Sequence, residues 1–133
     1  MIVVDTNILA YLYLPGNYTA AAVDLLKRDS DWAAPILWRS EFRNLLAGYL
    51  RRDGVTLEHA KATQAEAERL LEGREYEMDS ASVLECASRS NCSAYDCEFA
   101  ALAIQLNTKL VTMDKKLLAD FPGVALSLNM AGH

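Results

Sequence analysis

Short apolar runs rich in β-branched residues alternate with helical segments from one end of this sequence to the other. That alternation narrows the available folds more than any other feature. Ile2–Val4 is a short buried-strand pattern that stops at Asp5. Thr19–Arg28 reads as a helix with Ala22, Leu25 and Leu26 on one face, and Trp32–Ala34 as a second strand. Ile36–Arg52 places Phe42, Leu45, Leu46, Tyr49 and Leu50 at helical spacing, with Gly54 just beyond. Leu57–Glu72, rich in Ala, Glu, Lys and Gln, is a longer helix closed by Gly73. Tyr76–Met78 is a candidate strand, and Ser82-x-x-Glu85 reads as a capping box opening a helix to about Arg89. Tyr95–Leu106 is a strongly apolar helix, Lys109–Thr112 a strand, Lys115–Ala119 a short helix and Val124–Leu128 a last strand. The order predicts an α/β fold of three layers, α/β/α, around a mostly parallel sheet of roughly five strands. In such sheets ligands bind beyond the carboxyl ends of the strands.

The chain has 133 residues and is 52% hydrophobic, enough for a sizeable core, so one domain over residues 1–133 is expected. The longest unbroken apolar run, Ile8–Leu14, is far short of the ~20 residues that span a bilayer. No basic stretch precedes an apolar one near Met1, so a secretory signal is not expected. Cys86, Cys92 and Cys97 form no Cys-x-x-Cys pair, which argues against a disulfide framework or a zinc site and places Cys86 and Cys97 in the core. Together these features describe a soluble, cytoplasmic protein without membrane contact.

Four acids stand where chemistry is possible. Asp5 and Asp114 each follow a strand at its carboxyl end and open onto the crevice, although singly each is also an ordinary turn or helix-capping residue. Asp96 precedes Phe99, Ala103 and Leu106 by three, seven and ten residues, which sets a carboxylate on the apolar stripe of its own helix. That position is costly unless the acid is paired or metal-bound. Ser93-x-x-Asp96 is equally readable as a capping box. Glu41 precedes Leu45 and Tyr49 by four and eight residues, at the edge of another buried stripe. His59 and His133 are the only histidines, and neither sits in a nucleophile pattern; no Gly-rich phosphate loop is present.

Taken together, these residues resemble the PIN domain family of metal-dependent ribonucleases, in particular the toxins of VapBC toxin–antitoxin modules. Ile2-Val3-Val4-Asp5-Thr6-Asn7-Ile8-Leu9 is similar to the family's first motif, and Ser40-Glu41 followed by Leu45 to its helix-borne glutamate. Tyr95-Asp96 running into Ala100-Ala101-Leu102-Ala103 is the most specific piece, and Leu110-Val111-Thr112-Met113-Asp114 is similar to the last motif. A haloacid-dehalogenase-like phosphatase shares the opening but needs a carboxylate where Asn7 stands. The resemblance implies an endoribonuclease toxin acting on structured RNA such as tRNA or rRNA, a homodimer, and a VapB-like antitoxin. It implies Mg²⁺ or Mn²⁺, one or two ions per site, held by Asp5, Glu41, Asp96 and Asp114, with Thr6, Asn7 and Thr112 orienting ligands or phosphate. A catalytically silent metal-binding or interaction module on the same fold, and a PIN nuclease of RNA maturation, are the competing readings. An acidic pocket also attracts a guanidinium, so an inhibitor could insert an Arg among Asp5, Asp96 and Asp114.

The net charge of −5 excludes a polybasic nucleic-acid binder but not a local basic surface. Residues 58–85 hold eight acids and three bases. With the four site acids set aside, the remainder has ten bases against six acids. Arg39, Arg43, Lys115 and Lys116, on the segments that carry Glu41 and Asp114, are candidate RNA contacts; Arg51 and Arg52 are at least as well read as solvated helix residues.

Overall fold

A computed structural model describes residues 1–131, so His133 and the last of the expected polar tail lie outside the described residues. Five strands form one sheet: β1 (Ile2–Val4), β2 (Trp32–Pro35), β3 (Glu75–Tyr76), β4 (Leu110–Val111) and β5 (Ala125–Leu126). Their order is β3-β2-β1-β4-β5 and every neighbouring pair is parallel. This is the α/β architecture that the alternation predicts, with helices flanking the sheet. The chain builds outward from β1 through β2 to β3, then crosses to β4 on the other side of β1. The switch point between β1 and β4 is where a doubly wound sheet opens a crevice at its carboxyl edge.

Among the described residues seven helices connect the strands, α1 (Thr6–Tyr13), α2 (Thr19–Arg28), α3 (Trp38–Arg51), α4 (Leu57–Leu70), α5 (Ser80–Ser88), α6 (Ala94–Gln105) and α7 (Lys115–Asp120), and α8 (Leu128–Ala131) follows the last. Helix α6 lies across β1, β2 and β4, which explains its burial on nearly all sides: Cys97 and Phe99 to Ala103 are all core. Such a helix shows little amphipathic contrast and reads as continuously apolar. It ends at Asn107, which takes the left-handed conformation (φ 52°) that short polar side chains tolerate. None of the described helices is long and apolar enough to cross a membrane.

Three elements depart from the sequence reading. Helix α1 occupies the apolar run after Asp5, whose period is blurred because Ile8 and Leu9 enter the core while Tyr11, Leu12 and Tyr13 stay partly exposed against α2 and α3. Helix α5 begins two residues before Ser82. Its cap is Asp79, whose carboxylate accepts bonds from the Ser82 amide and the Ser82 hydroxyl (both 2.9 Å), so the expected Ser82–Glu85 capping box does not form. The last strand is also shorter than the sequence pattern, because Leu128 already belongs to α8. The three cysteines are free and buried, as expected of core residues.

Arg39 is committed to the fold. Its Nε and Nη2 donate in parallel to Glu75 at 2.6 Å, Glu68 lies 3.1 Å from Nη1, and Trp38 donates its indole N–H to the same Glu75 at 2.7 Å. This fork joins α3 to β3 and holds the Glu75 carboxyl below its usual range, mainly through the guanidinium bond. Arg39, one of the expected RNA contacts, thus spends these donors inside the fold.

Candidate acidic site

Parallel strands make the site. β1 and β4 pair in register, Val4 beside Val111, and the Asp5 amide extends the ladder by donating to the Val111 carbonyl at 3.0 Å. Both chains then leave the sheet at the same edge and deliver Asp5 and Asp114 to the same mouth. Helix α3 brings Glu41 and Asn44, and the first turn of α6 brings Asp96. A cleft of about 230 Å³ is lined by Asp5, Thr6, Asn7, Glu41, Asn44, Leu45, Asp96 and Asp114.

Two buried threonines fix two of these acids. Thr112, fully buried, donates its hydroxyl to Asp5 Oδ2 at 2.7 Å and accepts the Asp114 amide at 3.0 Å, so one side chain ties both strand ends together. Thr6 donates to Glu41 Oε1 at 2.7 Å and binds α1 to α3. Asp5 stands at the N-cap of α1 yet makes no side-chain cap bond there; its carboxylate is turned to Thr112. Asp114, by contrast, does cap α7 through its bond from Leu117 N at 2.9 Å while also lining the cleft. Ser93 caps α6 by accepting the Asp96 amide at 3.0 Å. The Asp96 carboxylate, beside the Ser93 hydroxyl, also lines the cleft.

The electrostatics are those of like charges forced together. Burial, then the charges of Asp96 and Asp114, push the Asp5 carboxyl up to about 6, against the opposing pull of the Thr112 bond. Burial also raises Glu41 and Asp96; Asp5 and Asp96 add to the first, and Asp114 to the second. The Ser93 hydroxyl and then the charge of Lys116 ease Asp96. Among the described residues, no Lys or Arg forms a salt bridge to any of the four acids.

Sequence reasoning missed one member. Asn44 stands one helical turn after Glu41 and lines the cleft; the i,i+3 spacing was the available signal. Glu98 is two residues past Asp96 and outside the cleft lining, yet its charge raises Glu41. Of the expected RNA contacts, Lys115 and Lys116 are exposed at the start of α7 beside Asp114. Arg43 lines a groove between α3 and α4 and donates to the Arg39 carbonyl and to Ser40, away from the acidic cleft.

An all-oxygen carboxylate set suits a hard cation such as Mg²⁺ or Mn²⁺ and not zinc. As they stand, no three acidic, His or Cys side chains among the described residues are close enough to enclose an ion. The fit therefore rests on donor chemistry: four carboxylates gather at one cleft, three of them raised by burial and then by neighbouring charge, and one divalent charge would stabilise them together.

Thr112→Val tests how the strand ends are tied. The swap keeps the shape, leaves the Asp114 amide unpaired and removes the one side-chain bond that lowers Asp5. The expected result is a loss of about 1–3 kcal/mol in chemical denaturation and a higher Asp5 pKa by carboxyl NMR. An unchanged Asp5 titration would show that the bond does not form in solution.

The PIN domain family model matches residues 2–123. No curated protein matches the sequence. Among solved structures, PAE2754 from Pyrobaculum aerophilum superposes with a TM-score of 0.77 at 23% identity, over 98% of this chain and 85% of that one. FitAcB from Neisseria gonorrhoeae gives 0.76 at 18% identity, over 96% and 98%. A toxin–antitoxin complex from Klebsiella pneumoniae gives 0.72 at 17% identity, over 96% and 98%.

Proposed function

The chain belongs to the PIN domain family, and on that premise we propose that it is a metal-dependent endoribonuclease acting as the toxin of a toxin–antitoxin pair. The observation that carries this reading is the convergence of Asp5, Glu41, Asp96 and Asp114, from four separate segments, on one cleft at the sheet's switch point. The partner half of the reading is supported by the fold likeness to the Klebsiella toxin–antitoxin complex. The reading includes a homodimer, a cognate antitoxin, and tRNA- or rRNA-like structured targets.

In this reading the four acids hold Mg²⁺ or Mn²⁺. The ion supplies charge that stabilises the developing negative charge on the phosphodiester and makes water a stronger acid. The chain's own groups do the positioning. Thr112 holds Asp5 with one oxygen committed and the other open, and Thr6 does the same for Glu41. Thr6 and Thr112 are buried, so these acids are pinned in place before substrate arrives. Lys115 and Lys116, exposed beside Asp114 at the start of α7, offer cationic ends to backbone phosphates at that side of the cleft mouth. Asn7 and Asn44 offer amide donors to phosphate oxygens without adding charge.

Purified protein incubated with total tRNA and rRNA should cut in Mn²⁺ and not in EDTA, and Asp96→Asn should cut at least ~100-fold more slowly, the scale of losing a metal-positioning group. Cleavage unaffected by EDTA, or by Asp96→Asn, would refute the assignment of the cleft.

A further inference from the structure

The acidic cleft does not end at Asn7 and Leu45. Both residues also line a second cavity of about 290 Å³ between α1, the turn that follows it and α3, walled by Tyr11, Tyr18 and Tyr49. That cavity in turn shares Leu14, Pro15 and Tyr49 with a third, of about 490 Å³, reaching His59. The three cavities therefore adjoin one another through shared walls. Four carboxylates line the first, and no acidic residue lines the other two.

The aromatic part is built in advance. Thr19 donates its hydroxyl to the Tyr11 carbonyl at 2.7 Å and accepts the Gly16 amide at 3.0 Å, which pins the turn after α1. The pinned turn sets Tyr18 against Tyr11, ring centres 4.9 Å apart and tilted by 43°. Tyr18 remains 41% exposed although it is a large aromatic. Further along, the Arg52 guanidinium sits 5.2 Å from the centre of the Tyr49 ring, placing a positive charge beside the groove.

We propose that this tyrosine-walled groove is a stacking subsite for an unpaired RNA base beside the nucleotide being cut, with Tyr18 as the platform. The proposal rests on the ribonuclease reading above and narrows its substrate to single-stranded segments. Three features favour a nucleic-acid strand. The groove adjoins the acidic cleft through Asn7 and Leu45, so a strand lying in the cleft passes beside it. Its walls lack the carboxylates that would repel phosphates, and Arg52 offers the opposite charge. The cavity next to the cleft, about 290 Å³ and flanked by the Tyr11 and Tyr18 rings, has room for one flat base. Bases held in a duplex have no free face to offer, so the same groove selects loops and single strands.

The test measures kcat/KM in Mn²⁺ on a single-stranded RNA octamer, on versions of it with an abasic site at each position in turn, and on a hairpin cut in its loop. Tyr18→Ala is expected to lower kcat/KM on the intact octamer by roughly ten-fold. Tyr18→Trp, which keeps a stacking face, should restore it. One abasic position next to the cut should produce the same loss in the wild type and no further loss in Tyr18→Ala. An equal loss on every substrate would make Tyr18 merely structural and overturn the proposal. No loss on any substrate, with a co-expressed antitoxin released instead, would make the groove a protein-docking site and equally overturn it. A wild type that cuts no RNA at all removes the ribonuclease reading itself, an outcome distinct from the other two.

Discussion

Asp5→Asn is expected to abolish RNA cleavage and, in the same protein, to raise the melting temperature when metal is absent. Lost activity paired with gained stability is what relief of crowded buried charge at a functional site produces. The Asp5 carboxyl is raised from 3.8 to about 6. A raised acid binds its proton more tightly folded than unfolded, so its stabilising effect is complete below the unfolded value near 4 and is lost as pH climbs through 6. Two units correspond to about 3 kcal/mol between pH 4 and pH 8. Glu41 and Asp96 are shifted in the same direction and steepen the fall. An amide at position 5 never ionises, and its oxygen still accepts the Thr112 hydroxyl. Melts in EDTA should therefore converge near pH 4 and separate by up to about 10 °C near pH 8, the variant being the more stable. Parallel curves across that range would mean that Asp5 is solvated and that the cleft is not a cluster of mutually repelling acids.

The sequence made this cluster legible because the chemistry sits at points that patterning marks well. Asp5 and Asp114 follow strands whose parallel pairing is implied by the alternation, and a parallel pair must release both residues at one edge. Asp96 stood out because a carboxylate on an apolar stripe needs a reason. The features that escaped are those decided by tertiary contact. Helix α1 was obscured because two of its faces are covered by different neighbours, which erases the period. Arg39 appeared to be a free cation because nothing local connects it to Glu75, 36 residues away. The Asp79 cap was hidden by a Ser-x-x-Glu pattern that competes with it two residues later. Thr112 could be named as an orienting group, but its double role, donor to Asp5 and acceptor for Asp114, depends on the register of β1 against β4. The adjacency of the tyrosine groove to the cleft is likewise a property of how α1, α2 and α3 pack, not of any one segment.

Manganese should restore the stability that pH takes away. A ligand that binds only the folded state adds about 2.7 kcal/mol at 100 times its dissociation constant, which at this chain length is roughly 10 °C. The gain should depend on pH in a defined sense. Carboxylates must be deprotonated to hold the ion, and with Asp5 near 6, binding below that pH has to displace a proton. The shift produced by Mn²⁺ should thus be small at pH 5 and large at pH 8, over the same interval in which the metal-free protein loses stability. The two curves have one cause: a charge density that is unfavourable alone is what makes the cation bind. Asp96→Asn should remove most of the Mn²⁺ shift at pH 8 while leaving the metal-free protein at least as stable as the wild type, because it removes both a ligand and a repelling charge. Differential scanning calorimetry at pH 5 and pH 8, with and without Mn²⁺, measures all four values. A shift of equal size at both pH values, or one that survives Asp96→Asn, would place the ion somewhere other than among Asp5, Glu41, Asp96 and Asp114.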